Sequence, residues 1–152
     1  MMSLKTTKSK FIGGITTLFI IALCCAFFVF PTQRSGEEIF RSSVLDPVPQ
    51  SVIILNSYND GWDGVVWLHF KISPTDFDLI LKSKNWQEHP DFLIGADTIG
   101  NEEVKDWWNA RLLGDNAIKY YVVVDYDGHE RIENIWVNEQ KDEVYYKVTS
   151  IY

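Results

Sequence analysis

Hydrophobic and polar positions follow three different patterns along this chain. Phe11 to Phe30 is a run of twenty residues without a charge, directly after Lys5, Lys8 and Lys10. At about 1.5 Å per residue a helix of that length spans roughly 30 Å, the thickness of a bilayer's hydrocarbon core. Further on, period-two alternation predicts strands, and apolar residues three or four apart predict helices. Residues 31–50 show neither pattern. They are polar, carry Pro31, Pro47 and Pro49, and read as a linker.

Ser51 to Ile72 reads as a β-hairpin. Val52 to Leu55 is a β-branched run, and Val65 to Ile72 alternates cleanly. Val66, Leu68, Phe70 and Ile72 take one face, while Val65, Trp67, His69 and Lys71 take the other. Asn59 to Gly64 between them is dense in turn residues. Ser73-Pro74-Thr75-Asp76 then opens a helix, with Ser73 as N-cap and Pro74 at the first helical position. Phe77, Ile80 and Leu81 supply its apolar stripe, and it fades near Lys84. A second helix is expected over 101–113, because Val104, Trp107, Trp108 and Leu112 recur at helical spacing and Gly114 can end it. The tail reads as a three-stranded meander over 119–126, 131–138 and 143–152, with Asp127-Gly128 as a hairpin turn. Two strands, two helices and three strands make an α+β domain with the helices over one sheet face.

The apolar run changes the picture from a globule to a tethered globule. Its twelve Phe, Ile, Leu and Val residues contribute roughly −4 to −7 kcal/mol to insertion, opposed by Gly13, Gly14, Thr16 and Thr17. A cleaved signal peptide has a shorter apolar core and ends in small residues, whereas this run exits through Ala26-Phe27-Phe28-Val29-Phe30. Cleavage, or lipidation at Cys24 or Cys25, stays the alternative to an uncleaved signal-anchor. Lys and Arg favour the cytoplasmic side. The expected organisation is a basic cytoplasmic N-terminus (1–10), a single transmembrane helix (11–30), a linker (31–50) and an extracytoplasmic domain (51–152).

All 21 acids and 11 of the 14 Lys and Arg lie beyond the run, so the exported part carries a net charge of −10. Such a domain repels nucleic-acid phosphates, and nucleic acid is not an expected partner. Both cysteines lie inside the run, so the exported part holds neither a disulfide nor a cysteine zinc site. All six Trp and seven Tyr lie beyond it and must supply much of the core. The absence of an Asn-x-Ser/Thr acceptor leans toward a bacterial cell envelope.

Candidate chemistry is sparse. The loop Asn59-x-Gly61-x-Asp63-Gly64 lacks the third and twelfth ligands of a calcium loop. His69, His89 and His129 are scattered, and neither a Gly-x-Ser-x-Gly elbow nor a phosphate-cradling loop occurs. Acids at Glu102, Glu103, Asp125 and Asp127 suit a helix start and a turn better than a hydrolytic dyad. No metal and no cofactor is expected, and an enzyme is disfavoured. The residues singled out for ligand or partner binding are Trp67 and His69 on the less apolar strand face, with Trp107 and Trp108 as an aromatic platform. For each, a core or hydrogen-bonded role is the competing reading.

At Ile72-Ser73-Pro74-x-x-Phe77, Trp86, Trp107-Trp108 and the tyrosine-rich closing strands, the last 80 or so residues resemble small bacterial envelope proteins. That resemblance implies an α+β domain behind an N-terminal anchor or lipoprotein signal and carries no catalytic residues. The expectation is a membrane-tethered, non-enzymatic module that binds an envelope protein or a small molecule. Two alternatives stand beside it: a small hydrolase using His69 with a carboxylate, and an accessory subunit of a membrane complex.

Overall fold

The computed structural model describes residues 34–60, 65–89, 106–126 and 128–150. Among them the chain forms six strands: β1 (Ile53–Asn59), β2 (Val66–Lys71), β3 (Gln87–His89), β4 (Ile118–Tyr126), β5 (His129–Val137) and β6 (Glu143–Ser150). Two helices accompany them, α1 (Gly36–Ser43) and α2 (Pro74–Ser83). All strands join one antiparallel sheet in the order β1-β2-β6-β5-β4-β3. The architecture is thus a continuous six-stranded sheet with two short helices. It corrects the expected α+β arrangement, in which a separate hairpin and meander flanked two sizeable helices. The anchor expected over 11–30 lies outside the described residues, and among those described no helix is long and apolar enough to cross a membrane.

The hairpin and the meander become one sheet through the β2–β6 ladder, which sets Leu68 against Tyr146 and Phe70 against Val144. Period-two alternation then divides every strand between two faces. Val66, Leu68, Phe70, Ile135, Val137, Val144, Tyr146 and Val148 build the first face, and α1 and α2 pack on it. Trp67, His69, Lys119, Trp136, Tyr145 and Lys147 point to the second.

α1 corrects the linker expectation, since the compact unit begins at Arg34 and not near residue 51. Ser35 and Glu38 form a capping box, with Glu38 N–H donating to Ser35 Oγ at 3.2 Å and Ser35 N–H donating to Glu38 Oε2 at 2.9 Å. Those two hydrogen bonds hold the Glu38 carboxyl below its ordinary range. Ile39 and Phe40 are the buried side of this short helix, and Phe40 meets Phe70 edge-on at 5.0 Å. Gly36 permits the approach: a Cβ there would lie 2.7 Å from Ile54 Cγ2. At the other end, the Ser43 carbonyl accepts from Lys84 Nζ and from the Tyr146 hydroxyl, each at 2.9 Å. Both donors also reach the buried carboxylate of Glu133.

α2 starts where Ser73 and Pro74 predict, with Asp76 N–H donating to Ser73 Oγ at 3.2 Å. Ser51 completes the cap by donating to Asp76 Oδ2 at 2.5 Å and accepting from Ser73 N–H at 3.0 Å. Lys84 leaves helical geometry, and Trp86 Nε1 donates back to the Ile80 carbonyl at 3.0 Å. The next residues add β3, which the sequence pattern did not single out, at the edge of β4.

The second expected helix is the other correction. Residues 101–105 lie outside the described set, 106–109 form a turn, and only Ala110–Leu113 closes a short 3-10 turn. Leu112, assigned to the apolar stripe, is 77% exposed. A helix would carry Leu112, one turn beyond Trp108, onto the same face, whereas the turn seats both tryptophans against Trp67 and leaves Leu112 in solvent.

Candidate functional site

Trp67, His69, Trp107 and Trp108 do come together, on the second face of the sheet. Trp67 lies in the middle of β2, with Tyr58 beside it on β1 and Lys147 on β6. The turn at 106–109 lowers Trp108 onto it, with ring centroids 4.9 Å apart. Trp108 also stands edge-on to Tyr145 at 5.2 Å and to Trp136 at 5.6 Å. Trp107 completes the cluster at 6.4 Å from Trp67. Val65, Ala110 and Leu113 fill the gaps. Lys147 Nζ lies 5.5 Å from the Trp67 ring and Lys119 Nζ lies 5.4 Å from that of Trp136, so buried lysine stems run across tryptophan faces.

This geometry is a second core. Trp67 and Trp108 are almost wholly buried, and Trp107 is only partly exposed. An aromatic platform needs open ring faces, and here those faces are spent on one another. Trp67 Nε1 is buried without a hydrogen-bond partner among the described residues.

His69 occupies the next outward position on β2. Strand register sets Asn56 on one side of it and Tyr145 on the other. Its ring stacks on Tyr145 at 4.0 Å with the planes only 8° apart. Nε2 lies 2.8 Å from Glu143 Oε1, and Nδ1 lies 3.4 Å from the Asn56 amide nitrogen. An ionised carboxylate can only accept, so Nε2 carries the proton and Nδ1 accepts, weakly, from Asn56. Burial first, and Glu143 second, raise the Tyr145 hydroxyl above its ordinary pKa. A general base needs one ring nitrogen facing substrate. Here both face protein groups, which makes the arrangement a cross-strand polar ladder.

The other histidines stay apart. His89 lies on β3 near Tyr121, at 5.7 Å between rings, and His129 starts β5. Among the described residues no group of three His, Cys, Asp or Glu side chains is placed to hold a metal. Asp125 caps the β4–β5 turn by accepting from Gly128 N–H at 3.0 Å. Glu102, Glu103, Asp127 and the centre of the Asn59–Gly64 loop lie outside the described residues.

Sequence reasoning missed Asn56, Glu143 and Tyr145 as neighbours of His69. Glu143 is 74 residues away, and only the β2–β6 register brings it close. It also missed an open groove of about 760 Å³ along β1, lined by Gly36, Val48, Pro49, Val52, Ile54 and Ser57. The proline-rich composition of 47–52 was its only trace. The chain matches no protein-family model, and neither a curated protein nor a solved structure is detectably similar to it.

Proposed function

We propose that this chain is a membrane-tethered, non-enzymatic interaction module of the cell envelope. The observation that carries this reading is the charge-free run 11–30 behind three lysines, followed by an acidic, cysteine-free domain. The tether holds the domain outside the cytoplasm, and the domain binds another envelope component. Support from the fold is indirect: aromatic side chains and His69, the residues best suited to ligand chemistry, are committed to packing and cross-strand hydrogen bonds. Full-length chain should stay with membranes through alkaline extraction, and protease added outside should remove the domain. A soluble, trimmed product contradicts the tether.

The hydrolase reading draws on the 2.8 Å contact between His69 and Glu143. It requires Asn56 to swing away and a substrate to take its place at Nδ1. Under the module reading, His69→Gln lowers stability by about 1 kcal/mol and leaves partner binding intact. An ester- or amide-cleaving activity that vanishes with His69→Gln in a still-folded protein would favour the hydrolase. In the accessory-subunit reading the run 11–30 itself packs on a larger membrane protein, and replacing it with an unrelated span abolishes function. A simple tether tolerates that swap.

A further inference from the structure

The two ends of the folded unit are held in different ways. Among the described residues, 34–50 belong to no sheet ladder. α1 is tied down through side chains: Ile39, Phe40 and Val44 are buried in the first-face core, and Phe40 stands edge-on to Phe70. The Ser43 carbonyl accepts from Lys84 and Tyr146. Leu45 and Val48, in the stretch that follows, are only partly buried. The tie changes at Ser51, whose hydroxyl donates to Asp76 and accepts from Ser73 N–H at the start of α2, and β1 begins at Ile53. At the other end, β6 lies between β2 and β5 with an antiparallel ladder on each side, and its Val144, Tyr146 and Val148 are core residues.

We propose that residues 34–50 are a length reserve, in which α1 undocks under tension before the sheet yields and redocks when the tension falls. The inference rests on the tether reading above and adds a regulation to it. A domain held to a membrane on one side and to an envelope component on the other is pulled when the two move apart. That tension enters the compact unit at Arg34, beside α1. An element with little buried surface and no ladder opens at a lower free energy than the sheet beneath it. The capping box and the Arg41–Glu37 pair are internal to α1, so they resist fraying and add nothing to docking. Eight residues are too few for a helix to stand alone, so undocking also melts it. Release leaves no buried charge stranded, because Glu133 keeps both Lys84 and Tyr146 as partners after Ser43 departs. The return force is the cost of wetting Phe70 and Ile54, which α1 covers. Drawn straight, residues 34–50 reach at most about 60 Å, and Ser51 then passes the tension to α2 and β1.

Force spectroscopy on the full chain in detergent micelles, with one handle at Gln33 and the other at the C-terminus, tests this without relying on a membrane. The expected record has two events. The first is reversible, comes at low force and lengthens the chain by no more than about 60 Å; the second is loss of the sheet. With the first handle moved to the exposed Gln50, the low-force event should vanish and the second should stay. Phe40→Ala should shift the low-force event downward or remove it, with the second unchanged. A single event overturns the proposal. So does a low-force event that survives the move to Gln50, or a sheet event that weakens in Phe40→Ala. Failure of the tether reading is read separately: chain that turns out soluble and trimmed in cells has no source of tension, and the proposed role falls whatever the force record shows.

Discussion

The two faces of the sheet are sealed by different means. On the first, aliphatic and phenylalanine side chains from α1 and α2 interdigitate with alternating strand residues. The buried carboxylate of Glu133 at its margin is matched by Lys84 and Tyr146 and helps to fix the last turn of α1. The second face is covered by a turn, with Trp107, Trp108 and Ala110 standing in for a helix. Apolar burial scales with area and has no directional preference. Large flat rings can therefore close a sheet without a repeating backbone, provided that their polar tips and the neighbouring lysines reach partners or water.

Truncating one anchor on each face tests that contrast most strongly. Phe70→Ala and Trp108→Ala should each cost about 3–5 kcal/mol in denaturant unfolding. Their footprints should differ: hydrogen exchange should rise in α1 and α2 for Phe70→Ala, and in 106–114 for Trp108→Ala. Matching footprints would mean that the two cores are one cooperative unit. Next in size is the ionic clamp. Lys84→Met leaves Glu133 buried without its cation and should cost about 2–4 kcal/mol, whereas adding Glu133→Leu should recover most of the loss. No recovery would show that the pair contributes net stability beyond cancelling its own burial cost.

A smaller effect is expected at Gly36, where alanine must push Ile54 aside. About 1–3 kcal/mol should be lost, with protection falling in α1 and β1 but not around Trp108. Smallest at neutral pH are the titrations. Burial, reinforced by Glu133, raises the Tyr146 hydroxyl well above 10, and burial also raises Tyr120 and Tyr145. The fold thus favours their neutral forms. Their contribution is whole below the unfolded pKa of about 10 and is lost as pH rises through the folded values. At the acid end, Glu38 favours its charged form. Its contribution is present above the ordinary value of 4.5 and disappears as pH falls through the lowered one. Phe40→Ala should remove the acid effect along with α1 docking and leave the alkaline transition of Tyr145 in place.

Legibility depends on the range of the interaction. Ser73, Pro74 and Asp76 announce α2 because a cap is a contact within four residues. The alternation from Val65 to Ile72 announces both faces of β2 because the pleat is intrinsic to a strand. α1 is hidden for the opposite reason. Its two buried residues, Ile39 and Phe40, sit in a polar stretch and acquire meaning only when Phe70 and Ile54 lie beneath them. Trp107 and Trp108 mislead because tryptophans on a helix stripe and tryptophans on a turn look alike until Trp67 and Trp136 offer a surface. His69 is singled out by residue type alone, and its partners come from strands that cannot be aligned without the sheet.

The chain by itself thus determines the charge-free run, its lysine flank, the acidity of the residues beyond it, the α2 cap and the two-sided character of β2. Each is a property of neighbours in sequence. Tertiary structure alone decides that hairpin and meander merge through β2 and β6, and that the expected linker folds as α1. It also decides that the second face closes with a turn, and that among the described residues β1 and β3 form the two edges of the sheet. Those outcomes rest on contacts between distant segments, whose free energy exists only once the sheet has brought both partners out of water together.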